Sequence, residues 1–435
     1  MFDSLKNAAQ KIKTEHELDV FMRHCRRLLS ARGEANSAAL AATALEAYGH
    51  LPDSAQLRFF ELLAGEFGPD PKTVLDAAQR YAAAPTAESL LQLMQAAEPP
   101  RQELLRRLNR AAGGTAVIVQ MRRRLLRSLA THAELTAVEA DFLHLLSSWF
   151  NPGFLELQQV DWNSPAQLLE KIIQHESVHA IDGWDDLRRR LQPDRRCYAY
   201  FHPQLPGEPL IFVEVALVPE MPEAIAPLIA KHSAPIEARH YKVAAFYSIS
   251  NCQPGLRGVS LGNFLIKRVA ERLQADFSSI RSFCTLSPIP GFVQWLDTPT
   301  VAETERTKPA LRERFMSARK QLQLDSVRMH ERIAGGWTPE SASAADRNAL
   351  LALASIYLCH VAPTEAGDVV AKFHLGNGAR LQRINWAADV SRNGVRQSCG
   401  LMVNYRYDLH KVEDYHQRFL EGEVVHTPGV ARLAR

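Results

Sequence analysis

The residue pattern changes character at Asn151-Pro152-Gly153, and that break constrains the fold more than any short motif does. Before it, every readable segment is helical. Apolar residues recur three and four apart over 37–48, 53–67, 71–84, 87–97, 102–112 and 136–150, alanine is abundant, and the breaks carry Pro or Gly. No stretch alternates with period 2. Ser37, Asp53 and Thr136 stand where N-caps belong, and Thr136 with Glu139 has capping-box spacing. The leucines of the Arg-rich run 121–127 fall at helical spacing, so its arginines read as a solvated face. A helical module without a convergent polar cluster suits a scaffold or an oligomer surface.

After the break, strand-like runs appear at 155–162, 196–202, 210–218, 241–250, 280–286, 369–375 and 400–409. Helical patterns lie between several of them, at 165–178, 261–277 and 311–333. The expectation is an α+β protein. An all-helical domain over 1–149 precedes a mixed α/β domain over 150–435, built on one sheet and enlarged by a helical insertion at about 293–365. The tail after Gly422 reads as loosely ordered.

Composition narrows the function classes. With 51 basic and 48 acidic residues the net charge is +3, too balanced for a generic nucleic-acid binder but compatible with a small anionic substrate. No apolar run approaches the length of a membrane span, since Glu214 breaks the strongest one, 210–218. The six cysteines, at 25, 197, 252, 284, 359 and 399, show no CxxC or zinc-ribbon spacing and read as free thiols. The N-terminal residues resemble neither a secretory signal nor an Arg-rich transit peptide, so cytoplasm is the expected compartment.

Three local motifs suggest different chemistry. His175-Glu176-Ser177-Val178-His179 matches H-E-x-x-H, which on a helix would bind zinc. Its context is poor, because Ala180-Ile181-Asp182-Gly183 ends the helix at once, and surface histidines at a helix end are the favoured reading. Gly258-Val259-Ser260-Leu261-Gly262 matches the G-x-S-x-G elbow, yet the preceding strand stops about eight residues too early for that geometry. Strand, Gly-rich loop and amphipathic helix instead make an anion cradle. Finally, Ser287 ends a strand before Pro288-Ile289-Pro290-Gly291, and His374 ends another before a Gly-Asn-Gly turn. If those strands are neighbours, the two side chains share a sheet edge; the plain alternative is a turn-capping serine and a satisfied core histidine.

Longer strings carry a more specific signal. DWNSPAQLLEKI, RRCYAYFHPQLPGEPL, YSISNCQPGLRGVSLGNFLIKRV, FCTLSPIPGFVQWL, FHLGNGARLQRINWAADVS and SCGLMVNYRYDL together resemble the malonyl-CoA decarboxylase family over most of 155–410. The helical half is similar in type to the family's oligomerisation domain. The resemblance implies a GNAT-like catalytic fold converting malonyl-CoA to acetyl-CoA and carbon dioxide, a step of fatty acid metabolism, with no metal or organic cofactor. It implies a homo-oligomer, dimer or tetramer, with no nucleic-acid or membrane partner. It places the catalytic serine on Ser287, the catalytic histidine on His374 and a further site tyrosine on Tyr407. The CoA-binding loop falls on Arg257, Gly258, Val259, Ser260, Leu261, Gly262 and Asn263. Well-known members carry a glutamate where this chain has Ser260. The alternative reading is a GNAT-type acyltransferase acting on an acyl-CoA.

Overall fold

The computed structural model describes residues 2–30, 36–262, 265–298 and 309–434. The chain divides into two compact units: residues 1–156, 201–208 and 253–261 form the first, and residues 157–200, 209–252 and 262–435 the second.

The first unit contains the helices Phe2–Leu29, Ser37–Gly49, Asp53–Gly65, Pro71–Ala83, Ala87–Ala97, Pro100–Leu108, Gly114–Ser128 and Thr136–Trp149. Their apolar stripes meet in an aromatic cluster in which Phe59 touches Phe21, Tyr48 and Phe60, and Phe60 touches Phe142. Ser37, Asp53 and Thr136 are first helical residues and not caps. The side-chain caps are Asp70, which accepts from the Thr73 N–H, and Thr86, which forms a capping box with Ser89. The Arg-rich run is not wholly solvated. Arg122 is buried, paired with Glu139 and donating to the Gly255 carbonyl at 2.7 Å.

The second unit is built on an eight-stranded sheet in the order β1-β2-β3-β4-β5-β8-β6, with β7 paired to β8. The strands are β1 Glu156–Val160, β2 Arg195–Phe201, β3 Ile211–Val218, β4 Val243–Asn251, β5 Ser282–Thr285, β6 Ser287–Pro288, β7 Arg380–Asn385 and β8 Met402–Tyr407. Ala216, Val218, Val243, Ala245, Cys284, Leu286 and Met402 pack in one core cluster on this sheet. β4 and β5 are parallel and pair only from Val243↔Ser282 to Phe246↔Thr285, after which β4 continues beside β3 alone. A bulge between Glu214 and Val215 lies beside that point. β5 then parts from β4, and Ser287 pairs with Val403 of β8.

Four expectations need correction. Residues 369–375 are not a strand but part of the Val369–Gly376 helix, because Asp368 caps it and its buried residues Ala371, His374 and Leu375 sit three and four apart. A strand not expected there, β7, follows that helix and pairs with β8; its polar-rich sequence Arg-Leu-Gln-Arg-Ile-Asn hid it. The expected helix 311–333 is two, Pro309–Gln321 and Met329–Ala334. The tail is ordered: the Leu381 N–H donates to the Val425 carbonyl, and the Pro428–Leu433 helix receives the Ser355 hydroxyl on Val430. Among the described residues no helix is long and apolar enough to cross a membrane.

Candidate active site

Where β5 leaves β4, three polar side chains meet in a buried row. Ser287 Oγ lies 3.0 Å from His374 Nε2, and His374 Nδ1 lies 2.9 Å from Tyr407 Oη. All three residues are buried. Each comes from a different element: Ser287 from the start of β6, His374 from the last turn of the Val369–Gly376 helix, and Tyr407 from the end of β8. The serine and the histidine therefore meet as the sequence suggested, but through a helix packed on the sheet and not along a shared sheet edge.

Two residues that motif reading did not single out complete the row. Ser287 Oγ donates to Thr285 Oγ1 at 2.9 Å, and the Tyr405 N–H donates to the same oxygen at 3.3 Å. The Tyr405 ring stacks on the His374 imidazole, with centroids 4.8 Å apart and planes inclined by 28°. Period-2 alternation was the available signal: Thr285 and Tyr405 stand two residues before Ser287 and Tyr407, on the same strand faces.

The electrostatics set the direction of the row. Burial pushes the His374 pKa down to about 3, so the imidazole is neutral at physiological pH. Burial also drives the Tyr407 phenol far above its ordinary range, which keeps it a donor. With Tyr407 donating to Nδ1, the remaining imidazole proton sits on Nε2 and points at Ser287. Ser287 in turn points its hydroxyl at Thr285. The result is a one-way donor chain of Tyr407, His374, Ser287 and Thr285. Both Nε2–H and the Ser287 hydroxyl are engaged within the row, and each becomes a donor to an acceptor placed beside it only by turning from its present partner.

The expected anion loop has the local conformation its glycines demand. Gly258 has φ +88°, a region that disfavours side chains. A Cβ on Gly262 would stand 2.6 Å from the ring of Phe373, the residue before His374, so a larger residue there would have to displace that ring. Arg257, Gly258 and Ser260 are exposed, Val259 is half-buried, and Leu261 is buried. Residues 257–261 group with the first unit and Gly262 with the second, while Asn263 lies outside the described residues.

The H-E-x-x-H segment lacks the geometry for a metal. Its helix, Ala166–His175, ends at the first histidine, so the two imidazoles do not share a helical face. Instead, the Glu176 carboxylate accepts from the N–H groups of Val178 and His179 and from Ser248 Oγ of β4. Ser177 adds a hydrogen bond to Ser250, which straps this segment onto β4. His179 is buried, with its pKa pushed down to about 4 by burial.

Comparison with known proteins places these features. Residues 153–435 match the malonyl-CoA decarboxylase C-terminal domain, and residues 67–150 match the malonyl-CoA decarboxylase N-terminal domain. The chain is 37% identical over 388 residues to mitochondrial malonyl-CoA decarboxylase of Mus musculus, covering 83% of this chain and 78% of that protein. It is 37% identical over 324 residues to the protein of the same name from Anser anser anser, covering 72% of this chain and 64% of that protein. Solved structures of malonyl-CoA decarboxylase from Rhodopseudomonas palustris and Agrobacterium vitis each superpose with TM-score 0.81 at 43% identity, covering 95% of this chain and 99% of theirs.

Proposed function

The chain belongs to the malonyl-CoA decarboxylase family of carboxy-lyases, and from that membership we propose that it converts malonyl-CoA to acetyl-CoA and carbon dioxide with no metal or organic cofactor. The observation that carries the reading is the buried Ser287–His374–Tyr407 row. A malonyl thioester needs no external electron sink, because its own carbonyl accepts the electron pair released when the C–C bond to the carboxylate breaks. The barrier lies in charge accumulating on the enolate oxygen. A site lowers it with preorganised donors in a water-poor setting, and one such donor is worth about 3 kcal/mol.

In this reading Ser287 and His374 orient the malonyl carboxylate and the thioester, and their two donors stabilise the enolate as carbon dioxide departs. A proton then passes from the row to the α-carbon, completing acetyl-CoA, and water restores it as product leaves. Tyr407 holds the imidazole tautomer that keeps Nε2 protonated. The residue 257–263 loop holds the CoA pyrophosphate through backbone N–H groups, without a carboxylate at Ser260.

The test is release of carbon dioxide and acetyl-CoA from malonyl-CoA by the purified protein in excess chelator. Turnover is expected to be unchanged by chelation. Free CoA appearing only with an amine or carrier acceptor would overturn the reading in favour of acyl transfer.

We further place homo-oligomerisation on the Pro71–Ala83 and Ala87–Ala97 helices. The second of these buries no residue, and Leu75, Leu90, Leu91 and Met94 are exposed. Light scattering is expected to show an oligomer that Leu91→Glu with Met94→Glu reduces in mass. A wild-type chain at monomer mass would remove the proposal.

A further inference from the structure

Ser287 and His374 reach the site from segments 87 residues apart, and a single buried carboxylate joins those segments. Asp368 Oδ1 accepts the N–H groups of Val370 and Ala371, at 2.9 and 3.0 Å, and so caps the helix that presents His374. Its other oxygen, Oδ2, accepts the Gly291 N–H at 2.9 Å. Gly291 closes the Ser287-Pro288-Ile289-Pro290-Gly291 turn, in which two prolines fix the backbone. That turn has no slack at Gly291: a Cβ there would stand 2.6 Å from Tyr357 Oη and 3.3 Å from Asp368 Oδ2. Asp368 itself is only 3% exposed, so water does not compete for these bonds.

We propose that Asp368 is a positioning residue for the decarboxylation, setting the Ser287 Oγ to His374 Nε2 spacing by holding the serine turn and the histidine helix on one carboxylate. The proposal rests on the assignment of Ser287 and His374 made above. Capping alone would need one acceptor oxygen. The second oxygen, bonded across 77 residues to Gly291, is what makes the carboxylate a spacer. A shift of about 1 Å in such a spacing is enough to cost on the order of 10²-fold in turnover.

Asp368→Asn separates the two duties. The amide oxygen still caps the helix, but its NH2 then faces the Gly291 N–H, donor against donor. Expected is a fall in kcat for malonyl-CoA of about 10²-fold, with KM within about twofold of the wild type. Asp368→Ser, which caps but is too short to span to Gly291, is the second variant should the first fold poorly, and the same split is expected. Wild-type kcat in either folded variant, or kcat and KM changing together, would overturn the proposal. A second readout needs no turnover: with 15N-labelled histidine, the His374 ring signal, assigned by its loss in His374→Gln, should move in Asp368→Asn. An unmoved signal overturns the spacer role. A wild-type protein that releases no carbon dioxide sinks the functional reading instead, while the ring signal still tests the spacing.

Discussion

Ser287→Ala and His374→Gln should each lower kcat for malonyl-CoA by about 10²–10³-fold, the cost of losing one preorganised donor at a developing oxyanion. Affinity for acetyl-CoA should stay within about threefold in both, since the proposed function assigns CoA binding to the loop after residue 256 and not to this pair. The double variant should lose little more than the worse single one, since the two side chains share a hydrogen bond and act as a unit. Strict additivity, or near-wild-type turnover in either single variant, would remove the pair from the chemistry. The pH profile gives an independent check. Burial holds the His374 pKa at about 3, so the imidazole is neutral at pH 5.5 and above, about two units or more from that pKa. It loses its Nδ1 acceptor only by protonation below that pKa. The profile of kcat/KM should therefore be flat between about pH 5.5 and 8, without the limb near 6.5 that an ordinary histidine would produce. A limb near 6.5 that vanishes in His374→Gln would show that the charged imidazole is the acting form.

Most of the scaffold was legible because long periodic segments declare themselves. The switch from a period of three to four to a period of two at residues 151–153 located the helical part and the sheet-bearing part. The errors fall where local preference is weak or outvoted. Residues 369–375 carry adjacent β-branched valines, which favour extended backbone, but the carboxylate of Asp368 on two N–H groups and the burial of Ala371, His374 and Leu375 decide for helix. β7 has two arginines and a glutamine facing a partly solvated surface, so nothing in its sequence alternates strongly. Arg122 reads as surface by residue type; its buried partners, Glu139 and the Gly255 carbonyl, lie 17 and 133 residues away.

The candidate site was legible in part. A serine at a strand end before two prolines and a histidine before a Gly-Asn-Gly turn were visible as features, while their pairing rested on the family resemblance. The hydrogen bonds that join them span 87 and 33 residues, and no local pattern encodes such distances. Thr285 and Tyr405 could have been found from alternation once Ser287 and Tyr407 were chosen. Asp368 could not, because the helix it caps reads as a strand in the sequence.

The H-E-x-x-H segment belongs to the scaffold, and that assignment carries the second large prediction. Arg190 is buried and donates to Asp186 at 3.0 Å, to Glu214 at 2.9 Å and to the Ala180 carbonyl, just beyond the motif. Glu214 lies on β3 opposite Ser248, the residue that Glu176 of the motif holds. Arg190→Met removes the cation from Asp186 and from Glu214, whose pKa burial already raises to about 8 so that it can take up a proton; leaving a buried acid without its partner typically costs about 3–5 kcal/mol. In a domain of this size that corresponds to a thermal midpoint lower by about 10 °C, read by calorimetry or circular dichroism. Glu214→Gln keeps an acceptor for the guanidinium and should cost far less. Adding Glu214→Leu to Arg190→Met should restore more than a third of the loss, since a matched apolar pair replaces a buried ion pair at little cost. A midpoint within about 2 °C of wild type in Arg190→Met would show that water reaches these carboxylates. The strap would then be held to β4 by Glu176 and Ser177 alone.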